Sequence, residues 1–395
     1  MTIDLPPPDA DERAHSDRLA ALLREEIAQH GPMPFSRFME RCLYAPGLGY
    51  YSAGRTKFGA AGDFVTAPEL GSLFAASMAD ALAPALRAAG DEACFVELGG
   101  GSGAFAETAL RAWSAGGALP KRYRILEPSA DLRERQRERL AAALPAEVSA
   151  RVDWLDRPPE HDWRGVLFAN EVVDALPATR FALRDGEVFE EHVDVRAEAF
   201  VLVDRPADPL VAGAVRHLER DLGAAFADGY RSELLPQLPY WMQAVLGSLE
   251  AGLAVFVDYG YPRRDCYHPQ RSDGTLACHY RHRAHADALL WPGLQDITAS
   301  VDFTALAEAG NAAGFGLAGY ARQGGFLFAA GLDARFTEAF EAADEATRYR
   351  LAQEVKRLTL PGEMGDRFQV MLFARGLPPS VLPPGLAAVD EGRRL

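Results

Sequence analysis

FVELGGGSGAFA, residues 95–106, decides how the chain is read. The apolar run CFVEL (94–98) has strand character and carries an acid, Glu97, near its end. Gly99, Gly100, Gly101 and Gly103 follow, three of them at alternate positions, and a helical pattern then runs from Gly103 to Ala115. Strand, glycine turn and helix make the first half of a βαβ unit. Glycine lets the backbone turn sharply and approach a ligand closely. In open parallel sheets ligands bind at the carboxyl ends of the strands.

Outward from this turn the alternation continues. YRILE (123–127) reads as a strand and Ser129 to Ala143 as a helix. Residues 148–154, GVLFAN (165–170) and AVFVDY (254–259) read as further strands. Strands alternating with helices predict an α/β fold, a parallel sheet with helices on both faces. Residues 178–204 break the pattern. FALRDGEVFEEHVDV places Asp185-Gly186 between alternating segments, a hairpin signal, and AFVLVD adds a third strand. Helical patterns at 210–226 and 239–250 complete an insertion at about 178–250. Later come a helix near 302–313, strands near 315–330, a helix over 333–358 and a last strand, FQVMLFAR (368–375). Upstream, helices are expected at Asp17–His30, Pro34–Leu43 and 72–90, around a glycine- and aromatic-rich loop at 44–71. The predicted organisation is a disordered tail (1–16), N-terminal helices with a lid loop (17–90), the sheet domain (91–376) and a flexible tail (377–395).

Composition narrows the function. The chain has 395 residues, with 41 Lys and Arg against 56 Asp and Glu, a net charge of −15. Nucleic-acid binding rests on neutralising phosphates, so a chain this acidic is not expected to bind nucleic acid. Cys42, Cys94, Cys266 and Cys278 form no CxxC pair, which fits a reduced intracellular protein. No apolar run approaches the ~20 residues of a membrane span. The start, MTIDLPPPDADERAHSD, reads as neither a signal peptide nor a transit sequence, so the cytoplasm is the expected location.

The glycines alone leave two ligands open. Gly99-x-Gly101-x-x-Ala104 fits a dinucleotide fingerprint. Glu97 favours the other: an acid beside pyrophosphate gains nothing, whereas S-adenosylmethionine carries a cationic amino group, a sulfonium and no phosphate. Glu127, followed by Pro128, closes the second strand, placed to accept two ribose hydroxyls. Asp153 and Trp154 end the third, where they meet an adenine or, for Trp154, simply fill the core. FANEVVDALP (168–177) ends the fourth, bringing Asn170, Glu171 and Asp174 to the carboxyl edge of the sheet. If a helix starts there, Glu171 and Asp174 share a face. Two acids can hold a cationic acceptor and take its proton, and guanidinium suits a carboxylate fork best. The bland alternative is an N-capping cluster. Asp258-Tyr259, ending the fifth strand, also faces this edge.

Two other clusters stand out. KFGAAGDFVTAPEL carries Lys57, Asp63, Thr66 and Glu69 in a glycine-shaped loop. It reads as a lid, with Tyr50, Tyr51, Phe58 and Phe64 excluding water and Asp63, Thr66 and Glu69 near the cofactor. CHYRHRAH (278–285) holds His279, His282 and His285, but Arg281 and Arg283 between them make a poor metal site, and a basic rim is expected instead. No metal is expected.

LYAPGLGYYS, KFGAAGDFVTAPELG, ELGGGSG, ILEPSADLRERQ, FANEVVDALP, GTLACHYRHRAH and QDITASVDFTAL together resemble the MidA family of S-adenosylmethionine-dependent methyltransferases, from about Leu19 to Arg375. Its mitochondrial members are complex I assembly factors that methylate an arginine of a core subunit. The resemblance implies a class I methyltransferase (Rossmann-like) fold, a seven-stranded sheet with FQVMLFAR as its antiparallel last strand. It also implies cofactor binding by Gly99, Gly101, Glu127 and the residues around Asp153. Glu171 and Asp174 resemble the acidic loop of arginine methyltransferases, which usually present two glutamates. The acidic N-terminus points to a bacterial member. The expected activity is methyl transfer to an arginine of a partner protein. A small-molecule acceptor, a non-catalytic assembly role and a nicotinamide oxidoreductase are the competing readings. The insertion serves as a substrate platform or as a contact in a homodimer.

Overall fold

The run CFVEL forms β1, Cys94–Leu98, and all five residues are buried. The computed structural model describes residues 5–54 and 66–395. Around β1 lie β2 (Arg122–Leu126), β3 (Val152–Leu155), β4 (Trp163–Asn170), β5 (Leu249–Tyr261), β6 (Gly316–Arg322) and β7 (Phe368–Arg375). Their order is β6-β7-β5-β4-β1-β2-β3, and the sheet holds eight strands in all, seven on this path. β1 to β5 are parallel. β7 runs antiparallel between β5 and β6. The chain winds from β1 towards β3 and then crosses back to β4, so the ends of β1 and β4 form the switch point.

Aromatic side chains fasten the helices to this sheet. Phe105, on the helix Ala104–Gly116, stacks on Phe168 of β4 at 4.2 Å, and Phe95 of β1 stacks on Tyr123 of β2 at 4.9 Å. Full burial stabilises such a side chain by roughly 1.5–3 kcal/mol. The buried Trp113 indole N–H donates to the Ala79 carbonyl at 2.8 Å, which ties in the helix Leu73–Ala89.

Two units divide the chain, and they differ from the domains expected from sequence. One comprises Val65–Val173, Leu238–Gly260 and Phe303–Leu395, and holds the sheet above. The other comprises Met1–Phe64, Asp174–Gln237 and Tyr261–Asp302. The N-terminal helices therefore fold with part of the insertion and with a later segment. In this second unit Thr179–Arg184, Glu187–Arg196 and Ala199–Pro206 form an antiparallel meander. Its first turn is Asp185-Gly186, with φ of 51° and 78°, the hand that suits a two-residue hairpin.

Four expectations need correction. The first helix runs Ala10–His30, so residues 10–16 are not a disordered tail: Asp9 and Glu12 close a reciprocal capping box there. The tail 377–395 is packed, with Val381 and Leu386 in the core and Asp390 accepting the Tyr320 N–H at 2.9 Å. Residues 323–329 are helical, not strand. The helix expected over 333–358 is two, Leu332–Glu341 and Glu345–Thr359, because Asp344 caps a new start by accepting the Thr347 N–H. Among the described residues no helix is long and apolar enough to cross a membrane.

Candidate active site

The turn after β1 holds Gly99, Gly101 and Gly103 at φ of 65°, 52° and 82°, a left-handed region costly for any residue with a Cβ. Gly100 serves a different purpose. A Cβ there would lie 2.7 Å from Ile125 Cγ2 and 3.1 Å from Gln136 Nε2, so its space is taken by protein. The Gly99 N–H donates to the Leu126 carbonyl at 3.0 Å, fixing the turn to the end of β2. Glu97 is buried just before the turn and accepts the Tyr123 hydroxyl at 2.7 Å. Burial pushes its carboxyl up to about 7; the Tyr123 hydrogen bond opposes this and the Glu127 charge adds to it.

Glu127 follows β2 and is buried. Its carboxylate accepts the Ser129 N–H at 3.0 Å and the Gln136 amide at 3.3 Å. Pro128 separates it from Ser129, which caps the helix Ala130–Ala143 by accepting the Leu132 N–H. Trp154 is held by its ring: the indole N–H donates to Gln136 Oε1 at 2.8 Å and Arg137 lies over the ring at 4.8 Å. Asp153 is inside β3, not at its end, and lies 3.6 Å from Arg122 on the neighbouring strand. The acid just past the strand end is Asp156, which Arg133 binds at 2.6 Å.

β4 ends at Asn170. No helix starts there. Residues 171–178 are turns and bends leading into the meander, so Glu171 and Asp174 do not share a helix face. Glu171 instead has φ of 54°, an uncommon state for a residue with a Cβ. Its N–H donates to the Val257 carbonyl at 2.9 Å. Asp258 is buried inside β5, which runs on to Tyr261 and does not end at 258–259. It accepts the Val172 and Val173 N–H groups at 3.2 and 2.9 Å on one oxygen and the Tyr259 N–H at 2.9 Å on the other. Asn170 Nδ2 donates to the Glu171 carboxylate at 3.1 Å, and Asn170 Oδ1 is buried without a hydrogen-bond partner among the described residues. Asp174 opens the middle segment of the second unit, buried, with its carbonyl accepting the Ala299 N–H at 3.0 Å.

Of the loop cluster, Lys57, Phe58, Asp63 and Phe64 lie outside the described residues. Glu69 accepts the hydroxyl of Ser102, inside the glycine turn, and Arg139 donates to the same hydroxyl at 3.0 Å. Thr66 precedes the short helix Ala67–Leu70 without capping it. Tyr50 is buried in the second unit; Tyr51 donates to Asp296 at 2.9 Å and stacks on Tyr44. The CHYRHRAH segment is a hairpin, Ala277–Tyr280 with Arg283–His285, turning at Arg281 and His282. Arg281 does not stand as a free basic rim: it binds Glu12 at 2.8 Å. Among the described residues no group of three or more His, Cys, Asp or Glu could hold a metal ion.

Sequence reasoning missed Gln136. Its signal is a polar residue on the buried Leu132–Gln136–Leu140 stripe of an otherwise charged helix.

The donor set fits a cationic nucleoside. Left-handed glycines open the turn at the switch point, buried carboxylates close β1 and β2, and Asn170 brings a buried carbonyl oxygen to the end of β4. Sheet and site together are those of a methyltransferase that uses S-adenosylmethionine. Residues 77–321 match the model of a family described as "Putative S-adenosyl-L-methionine-dependent methyltransferase". A protein from Burkholderia thailandensis, solved in a crystal structure with S-adenosylhomocysteine bound, is 42% identical; the match covers 99% of this chain and 100% of that one, with a TM-score of 0.91. The protein arginine methyltransferase NDUFAF7 homolog, mitochondrial, of Drosophila melanogaster is 27% identical, covering 94% of this chain and 88% of that protein. Its mouse counterpart is 28% identical, covering 91% and 85%. The chain belongs to this family, the MidA family of S-adenosylmethionine-dependent methyltransferases, and S-adenosylmethionine is its cofactor.

Proposed function

We propose that the protein is a protein arginine N-methyltransferase acting on a partner protein. The observation that carries this reading is Glu171, a carboxylate held in a left-handed backbone state where β4 meets the glycine turn. The segment carrying it packs on that turn: a Cβ at Gly99 would lie 3.1 Å from Val172 Cγ2. The near-full-length likeness to proteins named arginine methyltransferases supports the same acceptor. We read the seven-strand path as the class I core.

Bound S-adenosylmethionine supplies a methyl group that its sulfonium makes electrophilic. The chain must align a nucleophile and manage one proton. Free guanidinium has a pKa above ~12 and is a poor nucleophile. Glu171, oriented by the Asn170 amide, accepts guanidinium N–H groups and draws the positive charge towards them. The nitrogen that attacks then keeps its lone pair. As its bond to the methyl carbon forms and the sulfur–carbon bond breaks, its proton passes to Glu171 and on to water. In this scheme Gly99, Gly101, Gly103, Glu97 and Glu127 hold the cofactor, and Gly100, whose space is taken by Ile125 and Gln136, serves only to let the turn pack. With no shared helix face to pair Asp174 with Glu171, the clamp is assigned to Glu171 alone.

Tritiated S-adenosylmethionine and the purified protein, native or variant, added to a lysate of cells lacking the gene test this. Label on a protein, identified as methylarginine by mass spectrometry and lost with Glu171→Gln, is the expected result. Label confined to small molecules would make the acceptor a metabolite. Cofactor binding without transfer to any fraction would leave a non-catalytic partner-binding protein.

A further inference from the structure

Gln136 is fully buried on the helix that follows β2. A primary amide carries two N–H donors and one acceptor oxygen. Here they reach three different strand ends. Nε2 donates to the Gly101 carbonyl at 2.9 Å, in the turn after β1. It also donates to the Glu127 carboxylate at 3.3 Å, just past β2. Oε1 accepts the Trp154 indole N–H at 2.8 Å, from β3. The side chain also occupies the room the glycines leave, since a Cβ at Gly103 would sit 3.5 Å from its Cγ and one at Gly100 3.1 Å from its Nε2.

We infer that Gln136 is a positioning residue for the cofactor: it presets the carboxylate of Glu127 for the nucleoside of S-adenosylmethionine. The inference rests on reading Glu127 as the ribose acceptor. An indole N–H can only donate, so Trp154 fixes which end of the amide carries the oxygen. The amino end is then directed at Glu127 and Gly101, both acceptors. A carboxylate already held in one rotamer loses less freedom when a ligand binds, which favours affinity. Glutamate at 136 would set an acceptor against two acceptors; leucine would fill the volume without donating.

A double-mutant cycle read by calorimetry with S-adenosylhomocysteine separates this role from simple packing. Gln136→Leu is expected to weaken binding about tenfold in the otherwise native protein, the scale of one lost buried hydrogen bond to a charged group. In a Glu127→Ala background it should change affinity by less than about twofold, since the group it positions is gone. An equal loss in both backgrounds overturns the inference and leaves Gln136 a packing residue. Glu127→Ala with unaltered affinity is a separate result, and it overturns the ribose reading itself. Should Gln136→Leu fail to fold, Trp154→Phe serves: it removes the indole N–H together with part of the ring and frees the amide to flip, and the cycle cancels the packing change. A few-fold loss of affinity that vanishes in Glu127→Ala supports the inference, and a loss that persists there rejects it.

Discussion

The turns after β1 and β4 leave neighbouring strands of one sheet, and both enter the left-handed region of backbone space. They do so with opposite residues. After β1 the positions are Gly99, Gly101 and Gly103, where the conformation costs nothing in side-chain clashes. After β4 the position is Glu171, whose Cβ makes the same conformation cost roughly 1–2 kcal/mol. The first turn is built so that backbone can come close to a ligand. The second keeps a particular side chain at the edge of the sheet, and its neighbours hold the strain in place. The Val257 carbonyl takes the Glu171 N–H, and the Asp258 carboxylate takes the next two N–H groups.

The largest effect should come from the charge of Glu171. Glu171→Gln keeps the shape and the Asn170 neighbour but removes the proposed base. Turnover should fall by at least ~10², the usual scale for a positioned acid–base group, while the affinity for S-adenosylhomocysteine stays within about twofold. Kinetics and calorimetry on the same preparation check both halves. Full turnover in the variant would mean that the strained acid has only a structural part, and the contrast between the two turns would lose its chemical meaning.

Asp258→Asn attacks what holds the second turn. An aspartate accepts on both oxygens, and here three backbone N–H groups use them. An asparagine must aim its amino group at one of those donors. A loss of about 2 kcal/mol in urea unfolding is expected, the range for hydrogen bonds to a buried charge. A loss below half of that would mean that the turn is held by something other than this carboxylate.

The first turn should show itself through pH. Burial raises Glu97 from an ordinary 4.5 to about 7 in the folded protein. A raised folded-state pKa contributes stability that is complete below the unfolded value and is lost as pH rises towards 7. Without ligand, this group therefore lowers stability between about pH 4.5 and 7. In the proposed contact the cationic cofactor favours the ionised form and reverses the preference. Affinity for S-adenosylmethionine should rise roughly tenfold from pH 6 to 8, about one pKa unit of linkage, with most of the rise below about pH 7. The profile of Glu97→Gln should be flat over that range. A native profile that is already flat would take Glu97 out of contact with the cofactor.

How far the sequence spoke for each turn follows from what each is made of. β1, its glycines and its helix were legible because the apolar run, the glycine spacing and the helical period agree locally. The Asp185-Gly186 hairpin was legible because that dipeptide suits its turn. The segment after Asn170 misled. Glu171 and Asp174 look like acids at a helix start, but the chain there must leave the sheet and enter the second unit, and tertiary structure overrode the local signal. The chain passes between the two units five times, each unit being assembled from three separate segments, so no single linker marked a boundary. The C-terminal prolines suggested a loose tail, yet Val381 and Leu386 are core. Gln136 was hidden among the charges of ADLRERQRERL, where only its place between Leu132 and Leu140 betrays burial.

Glu171→Gly makes the second turn resemble the first. Removing the Cβ relieves the left-handed strain, and the backbone contacts that hold the turn, the N–H to Val257 and the grip of Asp258, stay in place. The part-buried bond from the Asn170 amide to the carboxylate is given up, and water can replace it there. Glycine also gives the unfolded chain more freedom, which offsets part of the gain. The net expectation is a protein more stable by about 0.5–1 kcal/mol in urea unfolding. It should bind S-adenosylhomocysteine as before and transfer nothing. Stability gained as transfer is lost is what a residue kept for chemistry predicts. A destabilised glycine variant would show that the Glu171 side chain supports the fold, and the left-handed backbone there would no longer argue for a role in the reaction.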